Sequence, residues 1–190
     1  MIKRFLITGH LARTSGDFSL NDMPGSAGRM DVLCRCINSC FFLSHSLRDD
    51  VDCYLVLLGE PEPPKTVLIK GSEVKRLNPD ERSTGALIKK ALELPCGDKF
   101  RKSTPGFYVR KGGLKSLLEE FEFTLLDENG TDIRDMQNAP ASYLLSDHQN
   151  FSEDEISLIE NMPKVSAGPK ILHADHTITV ILNELDRRDL

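Results

Sequence analysis

Short, nearly unbroken apolar runs recur along the chain: Phe5-Leu6-Ile7, Tyr54-Leu55-Val56-Leu57-Leu58, Phe123-Thr124-Leu125-Leu126, Tyr143-Leu144-Leu145 and Lys164-Val165-Ser166-Ala167. Runs this short without polar alternation suit strands covered on both faces. Between them the period lengthens. Met30, Leu33, Cys34, Ile37, Phe41 and Ser44 fall on one face of a helix opened by Pro24-Gly25-Ser26 and ended near Arg48. Asn78-Pro79-Asp80-Glu81 supplies a cap, a first-turn proline and a glutamate three residues on, and Ser152-Glu153-Asp154-Glu155 supplies a capping box, so a helix is expected to start at each. Asp127-Glu128-Asn129-Gly130 predicts a turn, and Glu60-Pro61-Glu62-Pro63-Pro64 a stiff connector into a small strand, Val67-Leu68-Ile69. Alternating strand and helix predicts an α/β fold, a mostly parallel sheet flanked by helices.

With 190 residues, 39% hydrophobic and 28% charged, the chain fits one domain spanning 1–190, with a small strand-containing insertion around 61–76 and a basic segment at 99–115. No apolar run is long enough to span a membrane. The start, Met1-Ile2-Lys3-Arg4-Phe5-Leu6-Ile7, reads as the first strand and lacks the features of a cleaved leader, so a cytoplasmic location is expected. The five cysteines (Cys34, Cys36, Cys40, Cys53, Cys96) are odd in number and crowded, which favours buried thiols over disulfides; their spacing does not suit zinc.

Net charge changes the picture more than composition does. Residues 1–118 hold 19 Lys and Arg against 13 Asp and Glu, whereas the remainder holds 5 against 16. An anionic partner would therefore meet the earlier part of the chain. Two basic features stand out there. The polar stretch His10 to Arg29 carries Arg13 and Arg29 into a helix start, where phosphate could bind, and its glycines fit neither GxGxxG nor a Walker loop. Lys99 to Lys115 contains six basic residues, Arg110 and Lys111 among them, interleaved with Phe100, Phe107 and Tyr108 and without one acid, the pattern of an RNA-facing surface.

Near the C-terminus, Tyr143 to Ser152 and Val165 to Thr177 each read as strand, loop and helix, the arrangement that builds a ligand crevice beyond the carboxyl ends of parallel strands. His173 and His176 lack partners with metal-ligand spacing and suit turn or surface positions, so no metal site is expected.

These C-terminal segments, together with Asn21-Asp22-Met23-Pro24-Gly25-Ser26-Ala27-Gly28-Arg29-Met30-Asp31 and the helix that follows, strongly resemble the archaeal tRNA pseudouridine-54 N1-methyltransferases of the SPOUT superfamily. The resemblance covers essentially the whole chain. It implies a C-terminal deep trefoil knot, S-adenosylmethionine as cofactor, tRNA as substrate and a homodimer whose sites are completed by the partner's early loop and first helix. The matching cofactor positions are Leu145, Gly168, Ile171, Leu172 and Thr177; at Thr177 the family pattern leads one to expect cysteine.

Pseudouridine is joined to ribose through carbon, so its N1 carries a free N–H, and N1 methylation requires alignment of that nitrogen and removal of its proton. Asp22 and Asp31 are the candidate bases or base-orienting groups; Arg29, with Arg13 and Arg35, would hold phosphates or polarise ring carbonyls. Three other functions remain open: a pseudouridine N1-methyltransferase acting on ribosomal RNA, a noncatalytic RNA-binding α/β module, and an NAD-dependent oxidoreductase.

Overall fold

A computed structural model describes residues 1–188. Eight strands form one sheet: β1 (Lys3–Gly9), β2 (Val51–Leu57), β3 (Lys65–Lys70), β4 (Arg101–Lys102), β5 (Phe107–Lys111), β6 (Thr124–Asp132), β7 (Ser142–Ser146) and β8 (Lys164–Ser166), in the spatial order β4-β5-β3-β2-β1-β7-β6-β8. The five strands from β2 to β8 in that order pair in parallel, and β3, β5 and β4 extend the β2 edge as an antiparallel flap. The expected mostly parallel sheet is present.

Each central strand feeds two cores, because successive side chains point to opposite faces. Phe5, Ile7, Leu55, Leu57, Val67, Ile69 and Leu145 pack on one side, against Leu33 and Ile37 of α2 (Met30–Phe41), Ile88 of α3 (Glu81–Leu92) and Ile181 of α6 (Ala174–Arg188). Leu6, Tyr54, Val56, Leu68 and Leu144 pack on the other, against Leu117 of α4 (Leu114–Glu120) and Ile159 of α5 (Glu153–Ile159). Each aliphatic side chain fully buried here contributes roughly 1.5–3 kcal/mol, so both faces of the sheet are firmly covered. Burial also pushes up the thiol pKa values of Cys34, Cys36 and Cys40, and all five cysteines are free.

Several local expectations shift. The first helical segment divides into a single turn, α1 (Met23–Ser26), and α2, with Gly28 (φ 64°) and Arg29 (φ 63°) both left-handed between them. Ser44 lies beyond α2. At α3 the cap is Asp80, whose carboxylate accepts from the Ser83 amide at 2.7 Å, two residues after the expected Asn78. The capping box at Ser152 forms as expected. Asp127–Gly130 lies inside β6 as a bulge: Leu126 and Thr131 both face Val165, so four residues loop out of register. Among the described residues no helix is long and apolar enough to cross a membrane.

Candidate active site

The carboxyl ends of β7, β6 and β8 open onto a cleft of about 620 Å³, within the size range of small-molecule sites. Leu145, Gly168, Ile171, Leu172 and Thr177 all line it. Leu145 is buried at the end of β7, whereas Ile171 is 77% exposed and Leu172 38% exposed. Two large apolar side chains left open beside a cleft can cover a flat apolar ligand such as adenine. A Cβ added at Gly168 would meet nothing within 4 Å, and its φ of 147° is one that L side chains rarely adopt. The backbone there is bare to the open space, as close approach to a ligand requires. Thr177 sits in the first turn of α6, and its hydroxyl donates to the carbonyl of His173 at 3.1 Å. His173 and His176 are exposed and stack on one another with ring centroids 5.7 Å apart.

Asp147, the residue after β7, also lines the cleft and organises a cluster absent from the sequence-based expectations. His10, the residue after β1, lies between two carboxylates: Nδ1 is 2.9 Å from Asp147 and Nε2 is 2.8 Å from Glu155. The amide of His10 donates to Asp147 at 3.0 Å, and that of Gln149 donates to it at 3.0 Å. The hydrogen bond to Asp147 raises the pKa of His10 most; burial opposes the rise and the bond to Glu155 adds to it. Asp147 is correspondingly lowered: burial would raise it, but His10 and the two amides outweigh burial. The signal that could have found this cluster is the strand order. With β7 beside β1 in parallel, the residues that follow both strands must meet.

The arginine region is built differently. A Cβ at Gly28 would lie 1.7 Å from the carbonyl oxygen of Leu11, so only glycine lets the turn before α2 pack on the loop after β1. Arg29 follows in a left-handed conformation that costs a side-chain-bearing residue roughly 1–3 kcal/mol, and it is the one such non-glycine among the described residues. Strained positions of this kind cluster at functional sites. Its guanidinium grips both oxygens of Asp31 at 3.0 Å, while Arg35 reaches Asp31 at 3.1 Å and Glu81 at 2.9 Å. Burial would raise the Asp31 pKa, but the two guanidiniums together hold it below the usual carboxylate value. Asp22 has another setting: it is exposed, and its carboxylate caps α1 by accepting from the Gly25 amide at 3.1 Å. Arg13 is bound by Asp17 at 2.7 Å.

On the antiparallel flap, Arg110 points inward. It is 8% exposed, lies over the Phe100 ring at 4.3 Å and pairs with Glu120 at 2.7 Å. Phe107 is core, and the Tyr108 hydroxyl bonds to Glu73. The cations open to solvent in this segment are Lys99, Arg101, Lys102, Lys111 and Lys115.

With this geometry in place, the chain can be compared with known proteins. A family model for SAM-dependent RNA methyltransferases matches residues 2–190. A tRNA (pseudouridine(54)-N(1))-methyltransferase of Methanocorpusculum labreanum is 57% identical over 189 residues, covering 97% of each chain. The chain belongs to this family. A second member, from Methanospirillum hungatei, is 48% identical over 186 residues and carries the same name, with 97% of this chain and 96% of its own covered. Among solved structures, Archaeoglobus fulgidus Nep1 bound to S-adenosylhomocysteine superposes with a TM-score of 0.64 at 12% identity, with all of both chains covered, and so shares the fold.

Proposed function

We propose that this enzyme methylates N1 of the pseudouridine at position 54 of tRNA, with S-adenosylmethionine held in the cleft beyond β7, β6 and β8. The observation that carries the reading is the convergence of Leu145, Gly168, Ile171, Leu172 and Thr177 on that one cleft, in a chain whose relatives bear this activity in their names. S-adenosylmethionine supplies, when bound, a methyl group already activated as a sulfonium. Leu145, Ile171 and Leu172 cover the adenine and the bare backbone at Gly168 approaches it. Asp22, exposed and held by a single amide, is the proposed proton acceptor for N1–H. Arg29 and Arg35 hold a phosphate or ring carbonyl of the RNA, and Asp31 positions both guanidiniums.

The reading extends to a single methyltransferase domain, a C-terminal trefoil knot, a cytoplasmic location and a homodimer. The knot rests on the resemblance to the SPOUT methyltransferases. In favour of the dimer, the cleft wall contains none of Arg13, Arg29 and Arg35, so a second copy's arginine loop would complete the site. RNA phosphates would meet the exposed lysines of the flap, Lys111 among them. Calorimetry tests the cofactor placement: Gly168→Val, strained in backbone and filling the cleft, should bind S-adenosylmethionine at least about tenfold more weakly. Unchanged affinity in that variant, with the parent binding normally, would move the cofactor elsewhere.

A further inference from the structure

The loop after β1 has no atom in the cleft wall, yet it is bonded to that wall from behind. His10 joins three separate elements: the end of β1, the loop after β7 through Asp147, and the first turn of α5 through Glu155. Both carboxylates are nearly closed to solvent, with side chains 2% and 9% exposed, and the His10 side chain is 10% exposed. One Glu155 oxygen also accepts from the Ser152 amide at 2.7 Å, while the other is buried without a partner. With two ionised carboxylates this close, the ring satisfies both when it carries both protons and donates to each. The other groups around the ring are the Phe151 edge, 6.2 Å away between centroids, and His148, whose Nδ1 lies 3.2 Å from Asp147. Arg29, just before α2, feels the charge of Asp147 but bonds to Asp31 instead.

We propose that His10 is a positioning residue for methyl transfer, whose doubly protonated ring clamps Asp147 and α5 together and so fixes the wall on which the cofactor rests. This rests on the reading that the cleft holds S-adenosylmethionine. When His10 loses its second proton, one of its two bonds becomes a contact between lone pairs, and the clamp opens on one side. Phe151 and Ile156, which flank Glu155 and line the cleft, are then released from their positions. Cofactor affinity should therefore hold at low pH and fall as pH rises through the His10 pKa, which lies above its ordinary 6.5.

The test is calorimetric titration of S-adenosylmethionine into the full chain from pH 6 to pH 9, for the parent, His10→Gln and Glu155→Gln. The parent should weaken on the alkaline side. His10→Gln, which keeps one donor nitrogen and cannot titrate, should bind about tenfold more weakly at pH 6 and show no alkaline limb. A limb that persists in His10→Gln assigns the titration to another group and overturns the proposal. A merely structural His10 would lower the melting temperature without removing that limb. Should His10→Gln fail to fold, Glu155→Gln decides: with one carboxylate neutral, the limb should move to lower pH, and an unmoved limb overturns the clamp. Parent protein that binds no cofactor at any pH sinks the cleft reading itself, and the clamp with it.

Discussion

Two charge clusters flank the loop after β1, and they are opposites. In one, a single buried carboxylate, Asp31, lies between two guanidiniums; in the other, a single imidazole, His10, lies between two buried carboxylates. The first presents guanidinium groups at the surface, since Arg29 and Arg35 keep about a third of their side chains exposed, at 38% and 34%, with Glu81 beside Arg35. The second leaves negative charge beneath the wall of the cleft. Arginine cannot release its proton at any working pH, so the Asp31 cluster is a permanent fixture suited to an anionic polymer. Histidine can, so the His10 cluster is conditional. On the proposed reading, the first network serves the RNA and the second the cofactor.

Breaking the Asp31 cluster should have the largest effect. Asp31→Asn removes the carboxylate between two guanidiniums, leaving Arg29 without its partner and Arg35 with Glu81 alone; since both are partly solvated, the loss is about 2 kcal/mol in urea unfolding, and methylation of tRNA should fall about 100-fold. Asp22→Asn sharpens the contrast, because asparagine caps a helix as well as aspartate does. That variant should keep its melting temperature and cofactor affinity while turnover falls about 100-fold, the upper part of what general-base catalysis supplies. Full turnover in Asp22→Asn would hand the proton to another acceptor.

The second prediction separates the clusters by pH. His10 has a raised pKa when folded, so its contribution to stability is complete below about 6.5 and is lost as pH rises through the folded value. Asp31 and Asp147 have lowered values, so theirs is complete above 3.8 and is lost as pH falls through the folded values. Urea midpoints should therefore show an alkaline decline worth about 1 kcal/mol in the parent, absent in His10→Gln, and an acid decline in both. An alkaline decline of equal size in the variant would remove His10 as its source.

The smallest effect belongs to the flap. Lys111→Ala should weaken tRNA binding severalfold and lower the salt slope by about 1, as expected for one phosphate contact. Arg110→Ala should leave that slope unchanged and lower the melting temperature instead, because Arg110 is engaged with Phe100 and Glu120. A reversal of the two results would place Arg110 on the RNA.

What could be read from the chain follows from where the information lies. Buried parallel strands announce themselves as continuous apolar runs, and a ligand crevice follows from their order, so the segments Tyr143 to Ser152 and Val165 to Thr177 could be brought to one cleft before any coordinates, while Leu145 and Gly168 within them are singled out by the family resemblance. Side-chain direction on the flap could not. Phe107, Val109 and Arg110 are buried while Lys111 is open, and nothing local in a run rich in cations distinguishes Arg110 from its neighbour. Arg29 illustrates a third case: its partner Asp31 lies two positions along the chain, close enough to suggest pairing, but the left-handed backbone that aims it is set by contact of Gly28 with Leu11. His10 is 137 residues from Asp147 and 145 from Glu155, so only the strand order unites them.

The central claim concerns one nitrogen. Tritium transfer from labelled S-adenosylmethionine should be measured into two otherwise identical tRNA transcripts, one with pseudouridine and one with uridine at position 54. Uridine uses its N1 in the glycosidic bond and offers no N1–H there. Incorporation into the pseudouridine transcript, and none above background into the uridine transcript, is the predicted result; equal incorporation into both would contradict N1 as the methylated atom.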